Sequence, residues 1–286
     1  CRQTKAELMQ SLGWKVIKGV FIAIVAMGLC FLVLPLLVIV PLSFNAEPYF
    51  TFTEGMLRLD GEAYSLRWYR SILENPEWTK AIVNSFIIGV FATLVATVLG
   101  TLAALGLNHP RLPFRQAISA LLISPMVTPV IIVAVGVFFF YSSMGLAQTH
   151  LGLILAHAML GAPFVVITVT ATLAGFDQTL MRAASSLGAG PLTAFRRIQL
   201  PLISPGVLTG ALFAFIASFD EVVVVLFLGG VDQRTIPRQM WSGIREEISP
   251  TILAIATLLI VFAILLLLAV ELLQRRNKLV EESASE

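Results

Sequence analysis

Charged residues are scarce in this chain. Only 13% of its 286 residues are Asp, Glu, Lys or Arg, whereas 57% are apolar, and the mean hydropathy is +0.89. Soluble domains carry about 25% charged residues, so this composition excludes an ordinary soluble protein. The formal net charge is +2, and the basic residues are divided among several loops rather than gathered into a patch, which argues against nucleic-acid binding.

Cysteine and the common catalytic motifs are also nearly absent. Cys1 and Cys30 are too few for a disulfide framework. The sequence contains no Gly-x-x-x-x-Gly-Lys-Ser/Thr phosphate loop, no His-Glu-x-x-His and no Gly-x-Ser-x-Gly, so we expect no enzymatic activity in this chain. His150 and His157 are seven residues apart without a third ligand, which favours an interfacial and a hydrogen-bonded core histidine over a metal site.

Long apolar runs are what the chain has in excess. A run of about 18 or more apolar residues can cross a bilayer core about 30 Å thick as a helix. The sequence therefore predicts an all-α transmembrane fold, with a membrane domain over residues 20–273. Its six spans are predicted at about 20–42, 81–107, 117–141, 151–173, 202–228 and 251–273.

The distribution of Lys and Arg predicts the orientation, because these residues resist translocation. They favour the segments on the same side as the N-terminus, and the segment between the third and fourth spans has none. We therefore expect residues 1–19, the loop 174–201 and the tail 274–286 to be cytoplasmic. The chain starts with Cys1 rather than Met, from which we expect an incomplete or processed N-terminus.

The loop 174–201 is a polar interruption between the fourth and fifth spans. Asp177 is a candidate N-cap for a short helix with one apolar face, and Gly188 ends that helix. Pro191 fits the first turn of a second short helix, and Pro201 starts the fifth span. Two such helices cannot bury their apolar faces on each other alone, so we expect them to pack on the membrane domain or on a partner.

The same loop contains an Ala-Ala pair, three residues, Gly, nine residues and then Ile-x-Leu-Pro. This pattern resembles the cytoplasmic signature of the membrane subunits of binding-protein-dependent ABC importers. The resemblance implies a six-helix type I importer permease, whose loop between spans four and five rests in a cleft of the ATP-binding subunit and transmits its closure to the spans. The residues that it assigns to this coupling are Arg182, Ala183, Ala184, Gly188, Phe195, Arg196, Ile198, Leu200 and Pro201.

Arg182 departs from the family pattern, which usually has Glu at this position, and we expect an acidic partner on the ATPase instead. The resemblance also implies the rest of the assembly: a second homologous permease subunit, two ATP-binding subunits that hold ATP and Mg²⁺, and an extracytoplasmic substrate-binding protein. It places the chain in a bacterial inner membrane and implies no cofactor in the chain itself.

Further motifs resemble the branch of this family that imports spermidine and putrescine. They lie at 65–69, 218–224, 234–237 and 248–251. The resemblance implies a small cationic or amine-containing substrate, with a polyamine favoured. An acidic residue commonly follows Ser-Pro in the third span of that branch, whereas this chain has Met126 there. The missing charge keeps open an amino-acid-like or opine substrate.

The candidate substrate-path residues are Asp220, Glu221, Ser218 and Trp68. Asp220 and Glu221 are the only carboxylates inside a predicted span besides Glu271, and an intramembrane charge is a candidate site by default. A rise of about 1.5 Å per residue over the fifth span places the pair near its outer end, where either carboxylate would attract an amine. Trp68 precedes the second span and could stack a substrate.

Three alternatives remain open from the sequence. The two carboxylates could form ion pairs with Arg234 or Arg238 in the next outer segment. Trp68 could be an ordinary aromatic residue of the membrane interface. A secondary transporter driven by an ion gradient is a rival function, although neither inverted repeats nor midmembrane ionisable relays are visible.

Proline and glycine predict local features of two spans. Pro125 and Pro129 should kink the third span, because each removes a backbone donor. Gly206 and Gly210 form a Gly-x-x-x-Gly pattern at the start of the fifth span, which predicts close packing against a neighbouring helix.

Overall fold

The computed structural model describes residues 2–246 and 249–284, which form helices joined by loops, with no β-strand in those residues. The α-helices in chain order are α1 (Arg2–Leu42), α2 (Glu54–Leu57), α3 (Arg67–Glu74), α4 (Pro76–Leu107), α5 (Arg115–Val127), α6 (Val130–Ser143), α7 (His150–Ala174), α8 (Thr179–Ser186), α9 (Pro191–Ala194), α10 (Leu200–Phe219), α11 (Val223–Leu228), α12 (Ile236–Glu246) and α13 (Thr251–Ala284). A 3₁₀ turn covers Gly61–Ala63, and a π turn covers Phe195–Gln199.

The helix lengths confirm the predicted all-α transmembrane class. Within the part of the chain that the structure describes, five helices are long and apolar enough to cross a membrane, or six if one bent pair counts as a single span. The five are Ile17–Leu42, Pro76–Leu107, His150–Ala174, Pro191–Phe219 and Thr251–Leu268.

The predicted third span, 117–141, is not one helix. It consists of α5 and α6, whose axes meet at 101°. Thr128 between them has ψ 135°, an extended value, because a residue before proline avoids the helical region. Pro129 has no N–H to continue the helical ladder. Pro125 lies inside α5, so the break occurs at the second of the two predicted prolines.

The predicted fifth span, 202–228, differs at both ends. The helix runs without interruption from Pro191 to Phe219, so Pro201 does not restart the chain as the sequence suggested. The π turn before Pro201 explains this, because its wider ring accommodates a proline whose ring would clash with the carbonyl four residues earlier. At the other end the helix stops at Phe219, and α11 begins only at Val223.

Residues 73–247 form one compact unit, here called the central unit, and residues 1–72 with 248–286 form a second, the terminal unit. The core of the central unit is made where α4, α7 and α10 pack on one another. It is rich in small side chains, which let apolar helices approach closely. Its buried members include Ala92, Ala96, Ala104, Ala158, Val165, Val169, Leu173, Ile203 and Ala214.

The glycine pair of α10 confirms the predicted close packing. A Cβ on Gly206 would collide with the Thr172 hydroxyl of α7. A Cβ on Gly210 would collide with the Thr168 hydroxyl and lie 2.8 Å from Val165 Cα. The absence of a side chain at both positions is therefore what lets α10 lie directly against α7.

In the terminal unit, α1 packs with α13 and a loop after α1 is fixed by buried polar groups. Asn45 is fully buried, and its amide donates to the carbonyls of Tyr49 and Thr51 at 3.1 and 3.2 Å. The Ser43 hydroxyl lies 2.6 Å from the Tyr69 hydroxyl. These bonds order the segment that leads to α3.

Candidate functional site

The helix α8 starts at a carboxylate anchor. Asp177 accepts a hydrogen bond from the Thr179 N–H at 2.8 Å and another from the Thr179 hydroxyl at 2.7 Å. These bonds stabilise the charged form and lower the pKa of the Asp177 carboxyl below its ordinary value. Gln178 occupies the N-cap position but makes no capping bond with its side chain. The prediction that Asp177 is the N-cap is therefore off by one residue, although its carboxylate does bond the first N–H of the helix.

The apolar face of α8 is largely uncovered in this chain. Ala184 is buried, but Ala183 is exposed and Leu187 at the end of the helix is 88% exposed. Gly188 ends the helix with φ +83°, a left-handed conformation that favours glycine. The Ala189 N–H then closes the end of the helix by donating to the Ala184 carbonyl at 3.0 Å. An exposed apolar face next to a tight turn is suited to contact with another protein.

The second half of the loop is anchored to the central unit. Pro191 is at the first position of α9, as predicted, and Ala194 is buried. Phe195 and Ile198 are half-buried, and Leu200 packs against the core between α4, α7 and α10. The loop thus consists of one exposed helix, α8, and a second segment, α9 with the π turn, that continues directly into the long helix α10.

Arg182 stands at a polar cleft between α8 and the C-terminal end of α4. The cleft has a volume of about 920 Å³. Its polar lining consists of Asn108, His109, Gln178, Arg182, Ser185 and Gln199. Arg182 has no salt bridge within 4.0 Å to any residue that the structure describes. Arg196 and Pro201, also predicted for coupling, are exposed.

The second candidate site lies where α10 ends. Asp220 is the C-cap of α10 and is exposed. Its carboxylate forms no ion pair or hydrogen bond with any residue in 2–246 or 249–284. Glu221 behaves differently, because its Oε1 accepts the Val224 N–H at 3.0 Å and so caps the start of α11. Of these adjacent carboxylates, Glu221 bonds the backbone of α11, whereas Asp220 makes no bond with the described residues.

The alternative ion pairs of the two carboxylates with Arg234 or Arg238 are not formed among the residues that the structure describes. Arg234 Nη1 lies 3.7 Å from Glu77 Oε2. Arg238 Nη1 donates to the carbonyls of Gly229 and Gly230 at 2.9 and 2.8 Å, which places its charge at the C-terminal end of α11. Burial, followed by the neighbouring Arg234 charge, lowers the pKa of Arg238. Both cations are thus committed to groups other than Asp220.

Ser218 does not share the exposure of Asp220. It is only 7% exposed, and its hydroxyl lies 2.8 Å from Nδ1 of His157 in α7. The prediction that Ser218 lines the substrate path is therefore corrected, since a residue two positions before Asp220 points to a different side of the helix and packs against α7. His157 is 1% exposed, which confirms the predicted hydrogen-bonded core histidine. Residues 2–246 and 249–284 contain no cluster of three or more His, Cys, Asp or Glu side chains that could hold a metal ion.

Asn84 is a structural residue that the sequence did not single out. Its amide donates to the carbonyls of Asp232 and Arg234 at 2.7 and 2.9 Å, and its Oδ1 accepts from His150 Nε2 at 3.0 Å. These bonds join α4, the start of α7 and the segment before α12. In the sequence, this role is indicated only by the presence of an asparagine inside an otherwise apolar predicted span.

Trp68 is held within the terminal unit. Its indole N–H donates to the Asn45 carbonyl at 2.8 Å, and the Arg67 guanidinium carbon lies 4.0 Å from its ring centroid. One face of the ring is thus occupied by a cation of the same chain. This arrangement favours a structural role over substrate stacking.

Comparison with known proteins adds to this geometry. Residues 96–279 match the family model described as the binding-protein-dependent transport system inner membrane component. The chain is 33% identical over 247 residues to the spermidine/putrescine transport system permease protein PotC of Haemophilus influenzae, covering 86% of this chain and 93% of that protein. It is 30% identical over 246 residues to the putrescine transport system permease protein PotI of Escherichia coli K12, covering 84% and 85%.

Solved structures share the fold. A chain in the crystal structure of a bacterial ABC transporter involved in the import of the acidic polysaccharide alginate superposes with a TM-score of 0.70 at 16% identity, covering 90% of this chain and 96% of that chain. A chain of the MetNI methionine ABC transporter in an inward-facing conformation gives a TM-score of 0.54 at 19% identity, covering 79% and 99%. At such identities the likeness concerns the fold alone.

Proposed function

Since this chain belongs to the family of binding-protein-dependent transport system inner membrane components, we propose that it is a permease subunit of an ATP-driven importer and forms half of a translocation path for a polyamine such as spermidine or putrescine. The observation that carries the substrate class is the Asp220 carboxylate. It is exposed at the end of α10, and Arg234 and Arg238 of the next outer segment are bonded to other groups. An unpaired carboxylate in such a position attracts an amine and accepts charge-assisted hydrogen bonds from it.

The relatives favour a polyamine over the other candidate substrates. Two relatives at 33% and 30% identity are named for spermidine and putrescine transport. Met126, which is 50% exposed in α5, is the feature that favours a less cationic solute, such as an amino-acid-like or opine substrate. Asp220 supplies a negative charge in this chain, and this charge together with the two relatives favours a polyamine as the substrate.

Transport energy would come from partner subunits. We propose that two ATP-binding subunits hold ATP and Mg²⁺, and that α8 docks on one of them with its exposed apolar face and Arg182. A second permease subunit and an extracytoplasmic binding protein would complete the assembly. The sequence has no phosphate loop of its own, which supports a non-catalytic role.

The proposed orientation is that of a bacterial inner-membrane protein with both termini and the loop 174–201 in the cytoplasm. The Lys and Arg distribution supports it. In the proposed cycle, ATP binding closes the ATPase dimer and moves α8. Because α9 and α10 form one uninterrupted helix from Pro191 to Phe219, this movement would reach Asp220 along a rigid element.

Uptake of labelled spermidine by vesicles that contain the complete transporter tests the proposal. We expect Asp220→Asn to lower uptake about tenfold, which corresponds to the loss of one charged contact. Asp232→Asn is the matched control, because Asp232 is also exposed and its side chain forms no bond with the described residues. Unchanged uptake by Asp220→Asn would refute the assigned site. Uptake that follows an ion gradient without ATP would refute the importer in favour of a secondary transporter.

A further inference from the structure

We infer that His157 is a positioning residue of the translocation path, which holds the C-terminal end of α10, and with it the Asp220 carboxylate, by a hydrogen bond to the Ser218 backbone. The inference rests on the proposed function in one respect, since it takes Asp220 as the group that meets the substrate. His157 itself is buried and does not touch the substrate.

The end of α10 leaves carbonyl groups without helical partners. The Asp220 N–H donates to the Ile216 carbonyl at 3.1 Å, and the helix then stops. The Ser218 carbonyl would require the N–H of Val222, but no backbone donor in the described chain reaches it. A carbonyl left unbonded in an apolar surrounding is unfavourable, so a side chain or water must bond it.

His157 supplies that donor from the neighbouring helix. Its Nδ1 lies 3.1 Å from the Ser218 carbonyl oxygen and 2.8 Å from the Ser218 hydroxyl. A carbonyl oxygen only accepts hydrogen bonds, so we infer the tautomer with the ring proton on Nδ1, in which the ring donates to the Ser218 carbonyl. Nε2 then carries a lone pair, and it is buried without a partner among the described residues. The ring therefore acts through one nitrogen, and that nitrogen faces the helix end.

The turn after α10 is held from both sides. His157 bonds the carbonyl of Ser218 on the N-terminal side, and the Glu221 carboxylate bonds the Val224 N–H on the C-terminal side at 3.0 Å. Asp220 lies between these two anchors and is exposed. Non-helical backbone at membrane depth persists only when its polar groups are bonded within the protein or to water. The anchors thus let the chain present a carboxylate at a helix break.

Thiol labelling measures this positioning without any transport. In a background with Cys1 and Cys30 replaced by Ser, Asp220→Cys is labelled in the assembled transporter with a cationic, membrane-impermeant methanethiosulfonate. We expect His157→Leu to change the labelling rate by about fivefold or more, because loss of a hydrogen bond of this kind frees the helix end. His157→Asn should keep the rate near that of the parent, since its amide N–H occupies the place of Nδ1. His150→Asn is the matched control on the same helix.

Transport gives the second measurement. With Asp220 intact, we expect His157→Leu to lower spermidine uptake per ATP hydrolysed about tenfold, and His157→Asn to restore most of it. Ser218→Ala removes the hydroxyl and leaves the carbonyl, so it should resemble the parent in both measurements. A residue that serves only packing would lower the amount of assembled transporter and leave uptake per ATP unchanged.

Several results would overturn the inference. It is wrong if His157→Leu leaves the labelling rate unchanged, if His157→Asn and His157→Leu behave alike, or if Ser218→Ala reproduces the effect of His157→Leu. A failure of both His157 variants to assemble would also contradict it, because the asparagine keeps the donor. If Asp220→Asn transports normally while the labelling results hold, the proposed site is wrong and the structural role of His157 stands.

Discussion

The Arg238 guanidinium lies at the C-terminal end of helix α11, where its Nη1 donates to the Gly230 carbonyl at 2.8 Å. The same nitrogen reaches the Gly229 carbonyl at 2.9 Å and the Val225 carbonyl at 3.3 Å. One guanidinium group thus donates to three carbonyls at the partially negative C-terminal end of α11, a short helix that packs on α6 and α7. This helix follows directly on the Asp220 turn.

Arg238→Met should therefore destabilise the central unit. The methionine keeps much of the apolar stem but leaves the Gly229 and Gly230 carbonyls without this donor, at a cost of about 1–3 kcal/mol, while the Val225 carbonyl still accepts from the Gly229 N–H. The measurement is the thermal midpoint of the purified transporter, read by tryptophan fluorescence. Arg245→Met on the same helix α12 is the control, because Arg245 is exposed. Equal midpoints for the two variants would contradict the capping role.

Gly210→Ala should destabilise the contact between α7 and α10. Its Cβ would lie 2.8 Å from Val165 Cα, a backbone atom that cannot move without shifting α7. Overpacking of this kind costs about 1–3 kcal/mol. Gly136→Ala in α6 is the control, since a Cβ there meets nothing within 4 Å, and it should be neutral or slightly stabilising. The midpoints of the two variants, measured side by side, decide the prediction.

Asp177→Ala should loosen the start of α8, whereas Asp177→Asn should preserve it, because asparagine keeps an acceptor for the Thr179 N–H. Hydrogen exchange of the amides in 179–186 gives the measurement. The hydrogen bonds lower the pKa of Asp177, so its stabilisation is present above the ordinary pKa and is lost only as the pH falls through the lowered value. The anchor should therefore be insensitive to pH between 6 and 8, and sensitivity in that window would contradict it.

The sequence predicted the parts of this structure that depend on local chemistry. Apolar run length located the spans, Gly188 and Pro191 located the ends of two short helices, and the Gly206 and Gly210 pair located a close contact. Each of these follows from one residue type or one spacing.

The missed features depend on partners distant in the chain. The sequence could not show that His157 bonds Ser218 or that Arg238 bonds Gly230, because such choices are made by helix packing. The sequence predicts only a kink at Pro129, whereas the axes of α5 and α6 meet at 101°. A proline restricts only its immediate neighbours, and the surrounding helices set the angle. No glycine or proline lies next to the break after Phe219, so no residue of the sequence predicts it.

Glu221→Gln and Glu221→Ala should separate a cap from a substrate contact. Glutamine retains the Oε1 acceptor for the Val224 N–H, so we expect near-normal spermidine uptake and stability. Alanine removes the cap and should cost about 1 kcal/mol of stability. If Glu221→Gln lowers uptake as strongly as Asp220→Asn, then the charge of Glu221 also faces the substrate and the distinction between the two carboxylates is wrong.

Gly188 allows a test of the coupling between α8 and the ATPase, because a substitution there can strain the backbone without creating a steric clash. Its φ of +83° strains any branched residue, while a Cβ there would meet nothing within 4 Å. Gly188→Val should therefore disturb the end of α8 at a cost of about 1–2 kcal/mol without any collision. Gly188→Asn should be milder, since asparagine adopts this conformation more readily.

The measurement for Gly188 is ATP hydrolysis stimulated by the loaded binding protein, together with uptake, in vesicles of equal transporter content. We expect Gly188→Val to lower both, and Gly188→Asn to retain most of both. Gly190→Val is the control, because Gly190 is equally open but has an ordinary φ of −66°. If Gly188→Val leaves both activities at the parent level, α8 does not transmit the movement of the ATPase, since the substitution alters only the turn that joins α8 to α9.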